Sequence, residues 1–173
     1  MLFYNIILKA QVTSNKINNK SIARIAAIQV LYQFANKNQQ QNVDLYMQNV
    51  LDLYQSGEAD SSEGWKSKPI KIRPSANYLK ELVHTTVQNI DKIDNLIADH
   101  LTSEWQLSTL PILLLATLRV GVCELIFFPR TPPKVIINEF TDITSDMLND
   151  NEVGFVNSLL DKIHKERPVN HDL

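Results

Sequence analysis

Apolar residues along this chain recur at helical spacing. Between Lys20 and Asn36, the residues Ile25, Ile28, Leu31 and Tyr32 form one stripe. Between Val43 and Tyr54, the residues Val43, Met47, Val50, Leu51 and Tyr54 fall at i, i+4, i+7, i+8 and i+11. A long third helix is predicted from the N-cap candidate Ser75 to about His100, with Tyr78, Leu79, Leu82, Val83, Thr86, Ile90, Ile93 and Ile97 on one face. A fourth opens between Ser108 and Pro111 and runs to Phe128, ahead of Pro129. The next has Thr131 as cap and Pro132 and Pro133 in its first turn, where their missing donors would be unpaired anyway. Its stripe is Val135, Ile136, Phe140, Ile143 and Met147. Asn149 and Glu152 give an N-x-x-E capping box for the last helix, whose stripe is Val153, Val156, Leu159, Leu160 and Ile163. With no period-two run, the pattern predicts an all-α fold of six to seven helices.

Outside these stripes the pattern dissolves. Between Gln55 and Pro74 stand turn formers and charges with almost nothing but Trp65 to bury, so residues 55–74 are predicted to be a flexible loop. The opening M-L-F-Y-N-I-I-L is apolar but too short to span a bilayer, and it lacks a basic region or a clean cleavage site. Residues 1–19 are read as a flexible N-terminal extension, or the product of a mis-assigned start codon, and residues 166–173 as a polar tail. One helical domain, 20–165, remains.

The 173-residue length suits one such domain, and 44% hydrophobic with 21% charged residues is ordinary for a soluble globular protein. A net charge of −2 gives no global attraction to nucleic acid, so an RNA site has to be a local basic patch. The single cysteine, Cys123, excludes an intramolecular disulfide and sits in an apolar helix as a small core residue. No glycine-rich phosphate loop, dinucleotide fingerprint, H-E-x-x-H or zinc-spaced Cys/His cluster is present, and His84, His100, His164 and His171 are scattered. The expectation is no catalytic residue, no metal and no cofactor.

Asn138, Glu139, Asn157, Arg119 and Glu124 stand among apolar neighbours. Buried polar groups need hydrogen bonds, so these are read as ties between helices rather than as a reactive centre. Lys16, Lys20 and Arg24 lie at four-residue steps and share one face at the start of the first helix. A helix N-terminus offers free N–H groups and a positive dipole end to phosphate. On the residues alone, a solvated basic face is the preferred account of that pattern.

Four segments also carry a resemblance. A-R-I-A-A-I-Q-V-L-Y-Q (Ala23 to Gln33), A-T-L-R-V-G-V-C-E-L (Ala116 to Leu125), P-P-K-V-I-I-N-E-F (Pro132 to Phe140) and F-V-N-S-L-L-D-K-I (Phe155 to Ile163) occur in this order. Together they resemble the NusB family of bacterial transcription antitermination proteins. The resemblance implies two small helical bundles packed together, and a cytoplasmic, non-enzymatic RNA-binding antitermination factor. Its partners would be boxA-type single-stranded RNA in ribosomal transcripts, the ribosomal protein NusE and the RNA polymerase antitermination complex.

The same resemblance turns the basic face into an RNA site. Lys20 and Arg24 fall on the family's arginine-rich motif, although Ser21 and Ile22 stand where arginines are common. It adds Lys92, and Arg130, standing where the family often has an acidic residue, brings a positive charge that favours a nearby RNA backbone, so the expected RNA-binding set is Lys16, Lys20, Arg24, Lys92 and Arg130. Leu114 and Leu115 replace a charged pair and are read either as a wider buried stripe covered by another helix or the long loop, or, by a slight preference, as an exposed patch for NusE or for a second copy of the chain. Two other readings stay open. One is a helical protein-interaction module with weak or no RNA binding. The other is the N-terminal domain of an rRNA (cytosine-5) methyltransferase, which would need a following α/β domain with a nucleophilic cysteine.

Overall fold

Helix α1 (Asn19–Asn36) is buried from Ile22 through Leu31, on every side rather than along one stripe. Ala23, Ala26 and Ala27 occupy the faces that the larger residues leave, and their small side chains let neighbouring helices approach closely. The computed structural model describes residues 18–36, 42–56, 73–102 and 105–166. Lys16, nearly all of the predicted extension, residues 57–72 of the predicted loop with Trp65, and the tail beyond Glu166 lie outside the described residues.

Seven α-helices, one 3-10 turn and no strand make up the described chain. Helix α1 packs on α2 (Val43–Ser56), α3 (Ala76–Gln88) and α5 (Ile112–Phe127). Helix α5 is buried continuously from Ala116 to Leu125 and also meets α4 (Ile90–His100), α6 (Pro133–Met147) and α7 (Asp150–Glu166). Helices α1 to α3 thus form one small bundle, α4, α6 and α7 wrap the other side of α5, and α5 is the shared spine. No described helix is long and apolar enough to cross a membrane.

Gly121 lies where α6 and α7 both press on that spine. A Cβ at this position would stand 3.3 Å from Leu160 Cδ1 and 3.3 Å from Phe140 Cγ. Overpacking of a dense core costs roughly 1–3 kcal/mol. Gly121→Val is expected to lose about that much, read as a lower urea midpoint with an unchanged slope.

The predicted third helix is two helices. At Asn89 (φ −117°, ψ 21°) the chain leaves helical geometry between α3 and α4. The Asn89 side-chain amide donates to the Thr85 carbonyl at 2.9 Å, competing with the regular backbone ladder. Because Leu82, Val83, Ile93 and Ile97 are all buried, the apolar stripe runs through the bend and conceals it.

Thr131 does not cap α6. Pro132 holds the N-cap position, and the Thr131 N–H instead donates to the Phe128 carbonyl at 3.0 Å, closing the α5–α6 turn. Ser75 holds the N-cap position of α3 but makes no side-chain capping bond. The Asn149–Glu152 box forms in both directions, at 3.3 and 3.1 Å. The inward face of α6 is Ile136, Ile137, Phe140, Ile143 and Thr144, leaving Val135 and Asn138 exposed. Asn138 is therefore no buried tie. Asn157 and Glu139 do link helices: Thr141 Oγ1 donates to Asn157 Oδ1 at 3.3 Å, and Glu139 holds α1 as described below.

Candidate nucleic-acid interface

The start of α1 is fixed from two sides. Asn18 Oδ1 accepts the Lys20 N–H at 3.0 Å, and the Ser75 N–H donates to the Asn19 carbonyl at 3.0 Å, fastening α3 beside it. Lys20 is exposed, with its Nζ 4.9 Å from the centroid of the Tyr78 ring. Arg24, one turn further on, brings its guanidinium carbon to 5.7 Å from the same ring. Lys20 and Arg24 share the face that their four-residue spacing predicts.

That face turns inward within one turn. Arg24 is only 2% exposed. Its Nε and Nη2 donate to the two oxygens of Glu124 at 2.8 and 2.6 Å, a bidentate pair from α1 to α5. Its Nη1 donates to Glu139 Oε2 of α6 at 3.0 Å. Ser21 Oγ donates to the same Glu139 oxygen at 2.6 Å, and the Tyr78 hydroxyl donates to Glu124 Oε1 at 2.7 Å.

Burial opposes the charge on Arg24, yet the hydrogen bonds and fields of Glu124 and Glu139 prevail and hold its pKa above the ordinary arginine value. Burial and Glu124 likewise push the Tyr78 hydroxyl up, so it stays a neutral donor. Arg24 is thus an internal tie among four helices, and it leaves the set of phosphate-contacting residues. Glu124 acts as the anchor expected of it. So does Arg119, whose Nε and Nη2 grip Asp94 of α4 at 2.8 and 2.7 Å.

Some of the exposed cations stand near the aromatic residues at the C-terminal end of α5. Tyr78, beneath Lys20, packs edge-on against Phe128 with centroids 5.6 Å apart. Next to Phe128, the half-buried Phe127 has the Nζ of exposed Lys92 at 5.4 Å from its centroid. Arg130 is exposed in the turn that follows, and Lys134 is exposed in the first turn of α6. Lys20 over Tyr78, Lys92 over Phe127 and Arg130 two residues after Phe128 thus border one aromatic rim of Tyr78, Phe128 and Phe127, and Lys16 lies outside the described residues. Lys134 is absent from the expected set, although P-R-T-P-P-K sets it four residues after Arg130 and both flank the turn.

The leucine pair is placed differently from expectation. Leu114 is 2% exposed within the core, and Leu115 is half-buried against it. An exposed patch requires α5 to bury one face, whereas five helices surround this spine. Leu114 consequently offers no surface to a partner. Cys123 is buried, and burial pushes its thiol up to about 12, which suits packing rather than nucleophilic attack. His84 lies 2.7 Å from Asp44, joining α3 to α2. Among the described residues no three His, Cys, Asp or Glu side chains gather as metal ligands.

The NusB family model matches residues 21–165. The chain belongs to the NusB family. It is 52% identical over 160 residues to the transcription antitermination protein NusB of Rickettsia bellii (strain OSU 85-389), covering 92% of this chain and 99% of that protein. With the NusB of Rickettsia conorii it shares 51% over 154 residues, 89% of this chain and 96% of the other. Among solved structures, antitermination factor NusB in complex with NusE and double-stranded RNA superposes with a TM-score of 0.69 at 26% identity, covering 88% of this chain and all of that one. The solution structure of NusB from Aquifex aeolicus gives 0.65 at 25% identity, covering 91% of this chain. This NusB-family chain keeps the helical layout of those solved structures.

Proposed function

We propose that the protein is a non-enzymatic transcription antitermination factor that binds boxA-type single-stranded RNA in ribosomal transcripts together with NusE. It acts in the RNA polymerase antitermination complex and therefore in the bacterial cytoplasm. Membership of the NusB family and the likeness to the NusB–NusE–RNA complex support the activity and the partners. The observation that carries the RNA site is the rim itself. In a chain of net charge −2, Lys20, Lys92 and Arg130 stand exposed around the aromatic end of α5. Cations beside aromatic rings suit a single strand, whose phosphates need charge and whose bases need flat apolar surface.

The methyltransferase reading is disfavoured. The matched relatives carry the antitermination name and are covered over nearly their whole length. The pure interaction-module reading differs in a measurable way, because it predicts no salt-dependent RNA affinity.

In the test, Lys20, Lys92 and Arg130 are changed together to alanine. All three are exposed, so thermal stability is expected to stay nearly unchanged. RNA affinity should fall about 10- to 100-fold, and the slope of log K against log salt should shrink by roughly 0.7 for each phosphate that is no longer neutralised. Equal affinity and slope in the triple variant would remove this rim as the RNA site.

A further inference from the structure

Phe127 is an aromatic side chain at the end of the helical spine, only half-buried, with no aromatic partner of its own among the described residues. Its neighbour Phe128 is buried and packed against Tyr78, so Phe128 explains itself as core. Phe127 instead meets a cation, the Nζ of exposed Lys92 at 5.4 Å. Arg130 stands exposed three residues later, and Lys20 stands over the ring of Tyr78. The partly open ring thereby meets Lys92, and neither Lys92, Arg130 nor Lys20 has an acidic partner within ion-pair distance among the described residues.

We infer that Phe127 is a base-stacking residue of the RNA site, working as a unit with Lys92, an inference that rests on the RNA-binding reading above. An exposed cation–π contact is weaker than base–aromatic stacking. A nucleobase therefore displaces the Lys92 ammonium from the ring. The flexible lysine stem then swings the charge to a phosphate of the same or the next nucleotide. The free protein holds the pair together, and RNA separates its two parts into a stacking surface and a phosphate contact. This supplies the flat surface that a lysine at position 92 does not offer by itself. Stacking accepts any base, so this contact adds affinity along the strand rather than sequence choice.

The two contacts are separable by salt. Phe127→Leu keeps an apolar side chain against the core but removes the ring. With boxA-type RNA it is expected to bind about 5- to 10-fold more weakly with an unaltered salt slope, while Lys92→Ala lowers both affinity and slope. Phe127→Trp should bind at least as well as the parent chain. Its added indole fluorescence should be quenched by RNA beyond the quenching seen in the parent, which reads stacking directly even if the leucine variant is poorly folded. Parent-like affinity in a folded Phe127→Leu, or no added quenching in Phe127→Trp, overturns the assignment while leaving the RNA reading intact. Absence of RNA binding by the parent chain itself overturns both.

Discussion

Arg24→Ala is expected to lower the unfolding free energy by roughly 3–5 kcal/mol, the cost of leaving a buried charge without its partner. Glu124 is fully buried and takes two charge-assisted bonds from Arg24, so truncation strands its carboxylate beside the Tyr78 hydroxyl alone. Glu139 loses the bond from the same guanidinium and keeps only that from Ser21, loosening α1 from α6. Lysine at position 24 restores charge but offers no planar fork, so it should recover only part of the loss. Chemical denaturation of the three proteins orders them parent, Arg24→Lys, Arg24→Ala. A phosphate-binding arginine would give another pattern: stable variants whose RNA affinity alone declines. Near-parental stability of Arg24→Ala would show that the network carries little of the fold.

The second large effect is expected at Leu114. Leu114→Glu places a carboxylate at a site only 2% exposed, in the apolar core. Removing the packed side chain alone costs about 2–5 kcal/mol, and burying the acid adds to that. The variant should be largely unfolded at 37 °C by circular dichroism. Leu115→Lys is the contrasting change. That residue is half-buried, and a lysine can lay its methylenes on the core while its charge reaches water, so stability should move by no more than about 1 kcal/mol. Comparable damage from both substitutions would mean that α5 is enclosed alike at the two positions.

These two residues show what periodicity conveys. Helix existence is legible throughout, because each helix buries apolar residues at 3.6-residue spacing and few glycines interrupt them. Depth is not. A stripe argument assumes one buried face, and it fails for α1 and α5, which are wrapped on all sides and carry apolar or small residues all round. Arg24 follows from the same limit. Its spacing from Lys20 correctly gives a shared face over Tyr78, but whether that face meets water depends on α5 and α6, which lie far along the chain. The reading of Glu124 and Arg119 as ties succeeds because ionised groups inside an apolar helix need partners wherever those partners lie. The break at Asn89 stays hidden because the residues on both sides of it bury the same face. Of the site, Lys20, Lys92 and Arg130 can be named from the sequence and its resemblance while Lys134 is missed, and the nearness of Lys20 to Tyr78 and of Lys92 to Phe127 needs the fold.

The central claim is salt-dependent RNA binding assisted by NusE. Its most direct test is a titration of the full chain with boxA-type single-stranded RNA from low to physiological salt, with and without NusE. Log K should fall linearly with log salt, with tighter binding when NusE is present and weaker binding to a scrambled RNA of equal length. RNA affinity that is absent or indifferent to salt and to NusE would contradict it and leave a helical interaction module in its place.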